Sequence, residues 1–261
     1  MTELIASLSN PLIKQARSLR QKKARAETGL FLVEGIHHVG EAVEAGWDIQ
    51  SAIYAPDLLS SDFARGLVAR LEKNRVRTQP VSARVMDSLA EKENPTGLLA
   101  VVSRRAWTLA GLSAANVASA LALVSPQDPG NLGSILRTMD AAGTGALFLL
   151  DGGVDEFHPS AVRASMGAIF WKPIIRASFD EFSQWSRARG MQLIGASARA
   201  RSDYRSCIPV SPWALVLGSE QKGLSTSQVE ACDLTVSLPM RGRGSSLNLS
   251  VAAGILLYAW M

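Results

Sequence analysis

Residues 238–261 read LPMRGRGSSLNLSVAAGILLYAWM. The second half of this stretch is so apolar that other parts of the protein have to bury it. The first half carries Gly242 and Gly244 after a proline, which predicts a tightly bent loop whose backbone can lie close to a ligand. From Leu247 onward the residues are apolar nearly all round, so a helix formed there has to be buried. Asn248 stands where that helix would begin, and a short polar side chain at this position caps free N–H groups.

A second stretch, DPGNLGSILRTMDAAG at residues 128–143, follows a predicted strand and leads into a predicted helix. Ligands of open α/β sheets bind at such strand ends. The dinucleotide fingerprint G-x-G-x-x-G lacks its first glycine here, which disfavours an NAD-type dehydrogenase. Arg137 lies close enough to the start of the helix to bind a phosphate or to stabilise a developing alkoxide. A surface ion pair with a carboxylate is the alternative role for this arginine.

A third stretch, LVLGSEQKGLS at residues 215–225, again leaves a predicted buried strand. Gly218 would let the backbone approach a ligand closely. Glu220 places a carboxylate at the strand end, where it would orient an arginine or accept hydrogen bonds from a bound nucleotide. An acid that caps the helix starting near Ser225 is the alternative.

Taken in order, the three stretches resemble the motifs of the SpoU (TrmH-type) RNA 2'-O-ribose methyltransferases of the SPOUT class. The resemblance covers most of residues 120–261 and implies an α/β fold: a parallel sheet whose C-terminal segment forms a deep trefoil knot, a rare feature among folds. It also implies S-adenosylmethionine as cofactor and a homodimer formed through the C-terminal domain. Residues 157–170, FHPSAVRASMGAIF, resemble a further family segment through Arg163, Ser165 and Gly167. Helix packing at a subunit interface is the alternative role for this segment.

The resemblance also implies roles for individual residues. The residues expected around the transferring methyl group and the ribose are Asn131, Arg137, Glu220, Ser246 and Asn248. Those expected at the cofactor are Gly218, Leu238 and Leu247, with Leu217, Gly195, Ala196 and Met240 as further contacts. Because arginine stays protonated, Arg137 is expected to stabilise an oxyanion and a phosphate, and the proton acceptor is left open. No metal-ligand spacing is present in the sequence, so no metal is expected.

Positive charge is concentrated at the N-terminus, where residues 1–25 contain a single acid, Glu3. Such a cluster is typical of phosphate binding, although a solvated helix face or a transit peptide has the same composition. Residues 10–35, NPLIKQARSLRQKKARAETGLFLVEG, resemble the L30e-like substrate-binding domain of SpoU enzymes. The residues expected to bind RNA are Lys14, Arg17, Arg20, Lys22 and Lys23.

Composition places the chain among globular proteins of two domains. It has 261 residues, 47% of them apolar and 19% charged, with a net charge of +4. No apolar run reaches the roughly 18 residues of a membrane span, and two cysteines suit a reducing cytoplasm. Alternating strand and helix patterns predict an L30e-like α/β domain at 1–105, a linker at 106–116 and a catalytic α/β domain with a parallel sheet at 117–261.

These features predict an S-adenosylmethionine-dependent ribose 2'-O-methyltransferase. The N-terminal domain favours ribosomal RNA of the large subunit, because transfer RNA enzymes of the family usually lack it. A transfer RNA methyltransferase is the first alternative, and a non-catalytic RNA-binding factor on the same fold is the second. The sequence leaves open which nucleotide is modified and whether the modification is a housekeeping one or confers antibiotic resistance.

Overall fold

The computed structural model describes residues 3–91, 95–112 and 117–261, and the chain packs into two units. Unit 1 comprises residues 1–105 together with 157–170, and unit 2 comprises residues 106–156 and 171–261. The sequence had instead predicted a C-terminal domain running unbroken from residue 117. Within the described residues, no helix is long and apolar enough to cross a lipid bilayer.

Unit 1 is built on a mixed sheet. Its strands are β1 (Leu30–Glu34), β2 (Ile49–Tyr54), β3 (Arg77–Pro80) and β4 (Leu98–Ser103), in the order β1-β4-β2-β3 among the described residues. Strand β4 runs antiparallel to β1 and β2, whereas β2 and β3 are parallel. The edge strand β3 was not predicted because its sequence, RTQP, shows no apolar alternation. The helices of residues 1–105 are α1 (Pro11–Ser18), α2 (Lys22–Thr28), α3 (Ile36–Glu44), α4 (Asp62–Lys73) and α5 (Ala83–Leu89).

The basic N-terminal segment forms two short helices. Asn10 caps α1 by accepting a hydrogen bond from the Leu12 amide. The chain leaves the helix after Ser18 and enters α2 at Lys22. Arg25 fixes this break, because its buried guanidinium donates to the carbonyl oxygens of Leu19 and Arg20, each at 2.8 Å. One cation of the cluster therefore belongs to the interior of the unit.

Unit 2 contains a parallel sheet, which confirms the predicted fold class. Its strands in the described residues are β5 (Ser119–Val124), β6 (Ala146–Leu150), β7 (Ile174–Ala177), β8 (Gln192–Ala196), β9 (Ser202–Asp203), β10 (Trp213–Leu217) and β11 (Leu234–Ser237). Every pairing between them is parallel, and the order is β7-β6-β5-β10-β8-β11-β9. The helices are α6 (Pro129–Ala141), α8 (Phe179–Arg187), α9 (Thr226–Glu230) and α10 (Leu249–Ala259), numbered with α7 (Pro159–Ala164) of unit 1 between α6 and α8.

The two faces of this sheet have different covers. Ala120, Ala122 and Val124 of β5 share one core cluster with Phe182 and Trp185 of α8. Side chains alternate along a strand, so the intervening leucines of β5 face the opposite side. On the described residues α10 packs against α6 and β10. The region expected to be a linker contributes to the first face, since Leu112 joins that core; residues 113–116 of the expected linker lie outside the described residues.

Helix α10 is half covered within one chain. Leu249, Ala253, Leu256 and Leu257 are buried. The other side of the helix is open, with Val251 48%, Ile255 37% and Tyr258 52% exposed. The sequence predicted a helix buried all round, so the single chain leaves part of that apolar surface uncovered.

Residues 157–170 pack with unit 1 through their aromatic ends. The ring centroid of Phe157 lies 4.5 Å from that of Phe31, and the indole N–H of Trp47 donates to the Phe170 carbonyl at 2.9 Å. Arg163 forms an ion pair with Glu91 at 2.9 Å. A Cβ atom added to Gly167 would lie 2.5 Å from the Glu41 side chain. Arg163 and Gly167, two of the positions that resemble the family segment, thus have packing partners inside this chain.

Candidate functional site

Three neighbouring strands of unit 2 end side by side. Leu217 of β10 pairs with Leu123 of β5 on one side and with Ala196 of β8 on the other. The chain order reverses at this point, because β5 leads outward to β6 and β7 whereas β8 lies beyond β10. Such a switch point in a parallel sheet opens a crevice at the carboxyl ends of the strands.

A cleft of about 400 Å³ occupies this position. Its walls come from the strand ends, from the 218–224 loop and from the 238–249 segment. Six of the residues expected at the cofactor line it: Ala196, Leu217, Gly218, Leu238, Met240 and Leu247. The sequence missed Arg199 and Lys222, which also line the cleft; no motif marks Arg199, and a lysine within a glycine loop is common on surfaces.

Gly195 does not line the cleft. It is buried in β8, where an added Cβ would lie 3.0 Å from Cys232 Sγ and 3.2 Å from Leu224 Cδ1. The same apolar surroundings, with the nearby charge of Asp233, raise the pKa of the Cys232 thiol to about 11. The structure therefore gives Gly195 a packing role beneath the cleft wall.

The glycine at position 218 is required by its own loop. A Cβ there would lie 2.0 Å from the carbonyl carbon of Gly223. The loop folds back on itself because the Gly223 amide donates to the Ser219 carbonyl at 2.9 Å. Close backbone approach was predicted at Gly218, and the structure shows that the approaching backbone includes the loop itself.

Glu220 clamps the loop ahead of α6. Its carboxylate accepts hydrogen bonds from the backbone amides of Gln127 at 3.1 Å and Asp128 at 3.4 Å. It also accepts one from the Asn131 side-chain amide at 3.2 Å. Asp128 in turn caps α6 by accepting from the Asn131 backbone amide at 2.7 Å. The cap was not predicted, although an aspartate directly before Pro-Gly at a helix start is a usable signal.

Asn248 connects the C-terminal segment to the same network. Its Nδ2 donates to Asn131 Oδ1 at 2.9 Å. Its Oδ1 caps α10 by accepting from the amides of Ser250 at 2.9 Å and Val251 at 3.4 Å. A continuous chain of hydrogen bonds therefore runs from Asn248 through Asn131 to Glu220, and it joins the three loops that the sequence singled out.

Arg137 stands apart from this network. It is exposed on α6, six residues after Asn131, which is about 9 Å along the helix and a third of a turn around it. Within the described part of the chain, its guanidinium has no ion-pair or hydrogen-bond partner. The alternative role as a surface ion pair is therefore not supported. Ser246 is exposed and lines the cleft wall.

The five basic residues expected to bind RNA fall into two groups. Lys14, Lys22 and Lys23 are exposed. Arg17 instead donates to Ser88 Oγ at 3.0 Å, and Arg20 donates to the Ala90 carbonyl at 2.7 Å. The two arginines thus brace the α1 region against the α5 region. Lys14 and Lys22 project their charge into solvent, whereas Lys23 forms a surface ion pair with Glu27 at 3.8 Å.

A parallel sheet with a cleft at its switch point, lined by two loops that hydrogen-bond to a third, defines an α/β enzyme that binds a nucleotide-like cofactor. Comparison with known families makes this specific. Residues 118–258 match the SpoU rRNA Methylase family, and residues 10–100 match the MRM3-like substrate binding domain. The chain belongs to the SpoU rRNA methylase family.

Relatives and solved structures agree with this assignment along nearly the whole chain. The chain is 30% identical to the 23S rRNA (guanosine(2553)-2'-O)-methyltransferase RlmP of Bacillus subtilis, over 97% of each chain. It is 33% identical to a 23S rRNA (uridine(2479)-2'-O)-methyltransferase of Streptomyces viridochromogenes, over 92% of this chain and 84% of the relative. An AdoMet-bound rRNA methyltransferase from Sinorhizobium meliloti superimposes with a TM-score of 0.90 at 33% identity, covering 99% of this chain and 97% of the other.

Proposed function

We propose that this protein transfers a methyl group from S-adenosylmethionine to a ribose 2'-oxygen of large-subunit ribosomal RNA. The observation that carries the proposal is the hydrogen-bond chain from Asn248 through Asn131 to Glu220, because it assembles three separate loops beside one cleft. Two relatives are named as 2'-O-methyltransferases of 23S rRNA, which supports the large-subunit substrate. The AdoMet-bound structures among the similar proteins support the cofactor.

The cleft has a suitable composition for this cofactor. Leu217, Leu238 and Leu247 offer apolar surface for an adenine ring, and the folded-back glycine loop offers backbone groups for the polar parts. A volume of about 400 Å³ lies within the usual range for a small-molecule site. S-adenosylmethionine supplies a methyl group that is already activated by the positive sulfur, so much of the rate has to come from positioning the 2'-oxygen in line with it.

The polar network performs that positioning. We assign Glu220 the task of holding the loop before α6 in place, since its carboxylate accepts from two backbone amides and from Asn131. Asn131 and Asn248 then form a fixed polar edge beside the cleft, where a ribose can be oriented. Ser246 offers an exposed hydroxyl on the cleft wall. These residues orient the substrate, and none of their hydrogen bonds requires a side chain to gain or lose a proton.

Arg137 supplies positive charge. Its guanidinium is exposed and free of ion pairs among the described residues, so it can bind an RNA phosphate and stabilise negative charge developing on the 2'-oxygen. Arginine suits this task because its planar fork can hold two oxygens at once.

Assembly as a homodimer through unit 2 belongs to the same proposal. The open stripe of Val251, Ile255 and Tyr258 on α10 follows a helical spacing and forms a continuous apolar strip. Contiguous exposed apolar surface of this kind marks interaction sites. A second copy would cover the strip and bury the helix all round, as its sequence demands. The trefoil knot of the C-terminal segment and a cytoplasmic location, where two free cysteines persist, complete the proposal.

A direct assay tests the proposed reaction. The full chain is incubated with S-adenosylmethionine labelled on its methyl group and with unmodified 23S rRNA or transfer RNA transcripts, and the RNA is digested to nucleosides. We expect a 2'-O-methylnucleoside from 23S rRNA. Label on a base or exclusive labelling of transfer RNA would contradict the proposal, and RNA binding without transfer would favour a non-catalytic factor.

A further inference from the structure

A polar groove of about 550 Å³ lies in unit 1, at the end of the sheet where β2 and β3 begin. Ser51 of β2 pairs with Arg77 of β3, so the turns that precede these two strands lie side by side. One wall is the turn from α3 into β2, and the other is the turn from α4 into β3. These turns contain no residue that the sequence analysis assigned to a site.

Arginines dominate the charge of this groove. Arg75 and Arg77 line it and are exposed. Neither has a carboxylate within ion-pair distance among the described residues. Arg105 adds a third cation at the rim, because its Nη2 donates to the Gly46 carbonyl at 3.1 Å and its guanidinium lies 5.0 Å from the centre of the Trp47 ring.

The acids near the groove have other partners. Asp48 lines it, but its Oδ2 accepts from Gln50 Nε2 at 2.6 Å and from Ser103 Oγ at 2.7 Å. Glu72 accepts from Thr78 Oγ1 at 2.9 Å. These hydrogen bonds hold the two turns in shape. Because the donors are neutral, both carboxylates keep their charge, but Arg75, Arg77 and Arg105 outnumber them and the net charge around the groove is positive.

The backbone at Arg75 supports a role for its side chain. Its φ is +61°, in the left-handed region that glycine or asparagine occupies with less strain. The turn is nevertheless fixed, since the Arg75 amide donates to the Glu72 carbonyl at 2.9 Å and the Val76 amide donates to the Leu71 carbonyl at 3.0 Å. Strained residues held by surrounding structure are found preferentially at binding sites. The turn thus presents a guanidinium to solvent at a position where glycine or asparagine would be less strained.

We propose that this groove binds the phosphate backbone of the substrate RNA, away from the methyl-transfer site. Two guanidinium forks match phosphate oxygens, and the exposed amide of Asn74 on the groove wall can pair with a base edge. A protein partner would need apolar anchors, whereas the apolar residues here are buried in the floor, as Trp47 and Leu71 show. The inference rests on the proposed function and specifies a contact surface on unit 1 for the same RNA.

The test compares full-length variants for binding to an unmodified 23S rRNA transcript across a range of salt concentrations. The groove variant is Arg75→Gln with Arg77→Gln. The control, Arg84→Gln with Arg187→Gln, removes the same charge from exposed positions outside the groove. We expect the groove variant alone to lose about ten-fold in affinity, and its salt slope to fall by roughly 1.4 to 1.8 for two lost phosphate contacts. Cofactor affinity should not change.

A charge-preserving variant, Arg75→Lys with Arg77→Lys, separates binding from folding. It should retain most of the salt slope, because lysine still contacts phosphate as a point charge. Equal losses in the groove variant and the control, or an unchanged slope, would overturn the inference. Polyglutamate is tested as a competitor of the RNA. If it binds the wild type while the groove variant still binds RNA normally, the ligand of the groove is an acidic protein partner and the RNA proposal is wrong. Absence of methyl transfer by the wild type would instead refute the proposed function.

Discussion

At the scale of the residue, Glu220 shows how the structure refines a role inferred from a motif. The sequence indicated a carboxylate at a strand end, facing a ligand or an arginine. The structure shows this carboxylate accepting from Gln127, Asp128 and Asn131. A group that holds a loop in place contributes through positioning, which a motif alone cannot distinguish from direct contact with the substrate.

Arg137→Ala should reduce methyl transfer by about 100-fold to 1000-fold, the usual loss when one donor to a developing oxyanion is removed. Folding and cofactor binding should stay nearly intact, because Arg137 has no ion pair to lose among the described residues. Single-turnover kinetics and calorimetry with S-adenosylmethionine measure the two effects separately. Arg137→Lys should restore little, since a point charge lacks the planar fork. A variant that retains more than about a tenth of the activity, a change under roughly 1.4 kcal/mol, would refute the assignment.

Asn248→Asp should separate capping from catalysis. Aspartate caps helices about as well as asparagine, so thermal stability should change by less than about 0.5 kcal/mol. The variant nevertheless lacks the N–H that donates to Asn131 and adds a second acceptor to the network. We expect at least a ten-fold loss of methyl transfer, whereas Asn248→Ala should also cost about 1 kcal/mol of stability. Full activity in the aspartate variant would show that the Asn248–Asn131 hydrogen bond is dispensable.

Single residues also show where sequence reasoning stops. Glu220 and Asn248 could be found because each lies next to a strand end or helix start that the apolar pattern reveals, and Asn131 was assigned through the resemblance to the family motif. Gly195 could not be placed correctly, because alternation along β8 decides whether it faces the cleft or Cys232, and that depends on which strands flank it. Arg199 lines the cleft without any local signal.

At the scale of the element, the basic N-terminal segment forms two helices, α1 and α2, with a break between them. The break depends on Arg25, whose buried guanidinium bonds two carbonyls across the turn. Arginines in a sequence are usually expected at the protein surface, so the buried position of Arg25 could not be predicted. The capped start of α1, by contrast, follows directly from Asn10 and Pro11.

Replacing Lys14, Lys22 and Lys23 with glutamine should weaken RNA binding and lower the salt slope by about two. Each phosphate contact that is lost leaves one counterion on the RNA that binding would otherwise release. Replacing Arg17 and Arg20 should instead lower stability, by about 1 kcal/mol for each hydrogen bond lost to Ser88 and Ala90. Filter binding over a salt series and thermal unfolding distinguish the two groups. An unchanged slope in the lysine variant would identify these lysines as a solvated surface.

At the scale of the whole molecule, one short segment changes the domain picture. Residues 157–170 lie between two strands of unit 2 in sequence but pack with unit 1. Aromatic residues at both ends, Phe157 and Phe170, contact Phe31 and Trp47. Alternating strand and helix patterns assign such a segment to its sequence neighbours, so only the packing reveals where it belongs. A truncation at residue 117 would expose these aromatic surfaces, and cofactor binding is better measured on the full chain.

Ile255→Glu should convert the proposed dimer to a monomer. The change places a charge in the middle of the apolar strip on α10, and burying an unpaired charge in an interface is strongly unfavourable. Light scattering at micromolar concentration should show the mass falling by half. Phe63→Glu is the matched control, since Phe63 is also apolar and 66% exposed but lies in unit 1. A wild type that is already monomeric would contradict the proposed assembly.

Mapping of ribose methylation in cellular RNA, with and without the gene, tests the central claim most directly. Deletion should remove one 2'-O-methyl group from the large-subunit ribosomal RNA and leave transfer RNA unchanged. Complementation with the wild type should restore that group, and complementation with Arg137→Ala should not. Loss of a methyl group from transfer RNA alone, or an unchanged map in both RNA classes, would contradict the account.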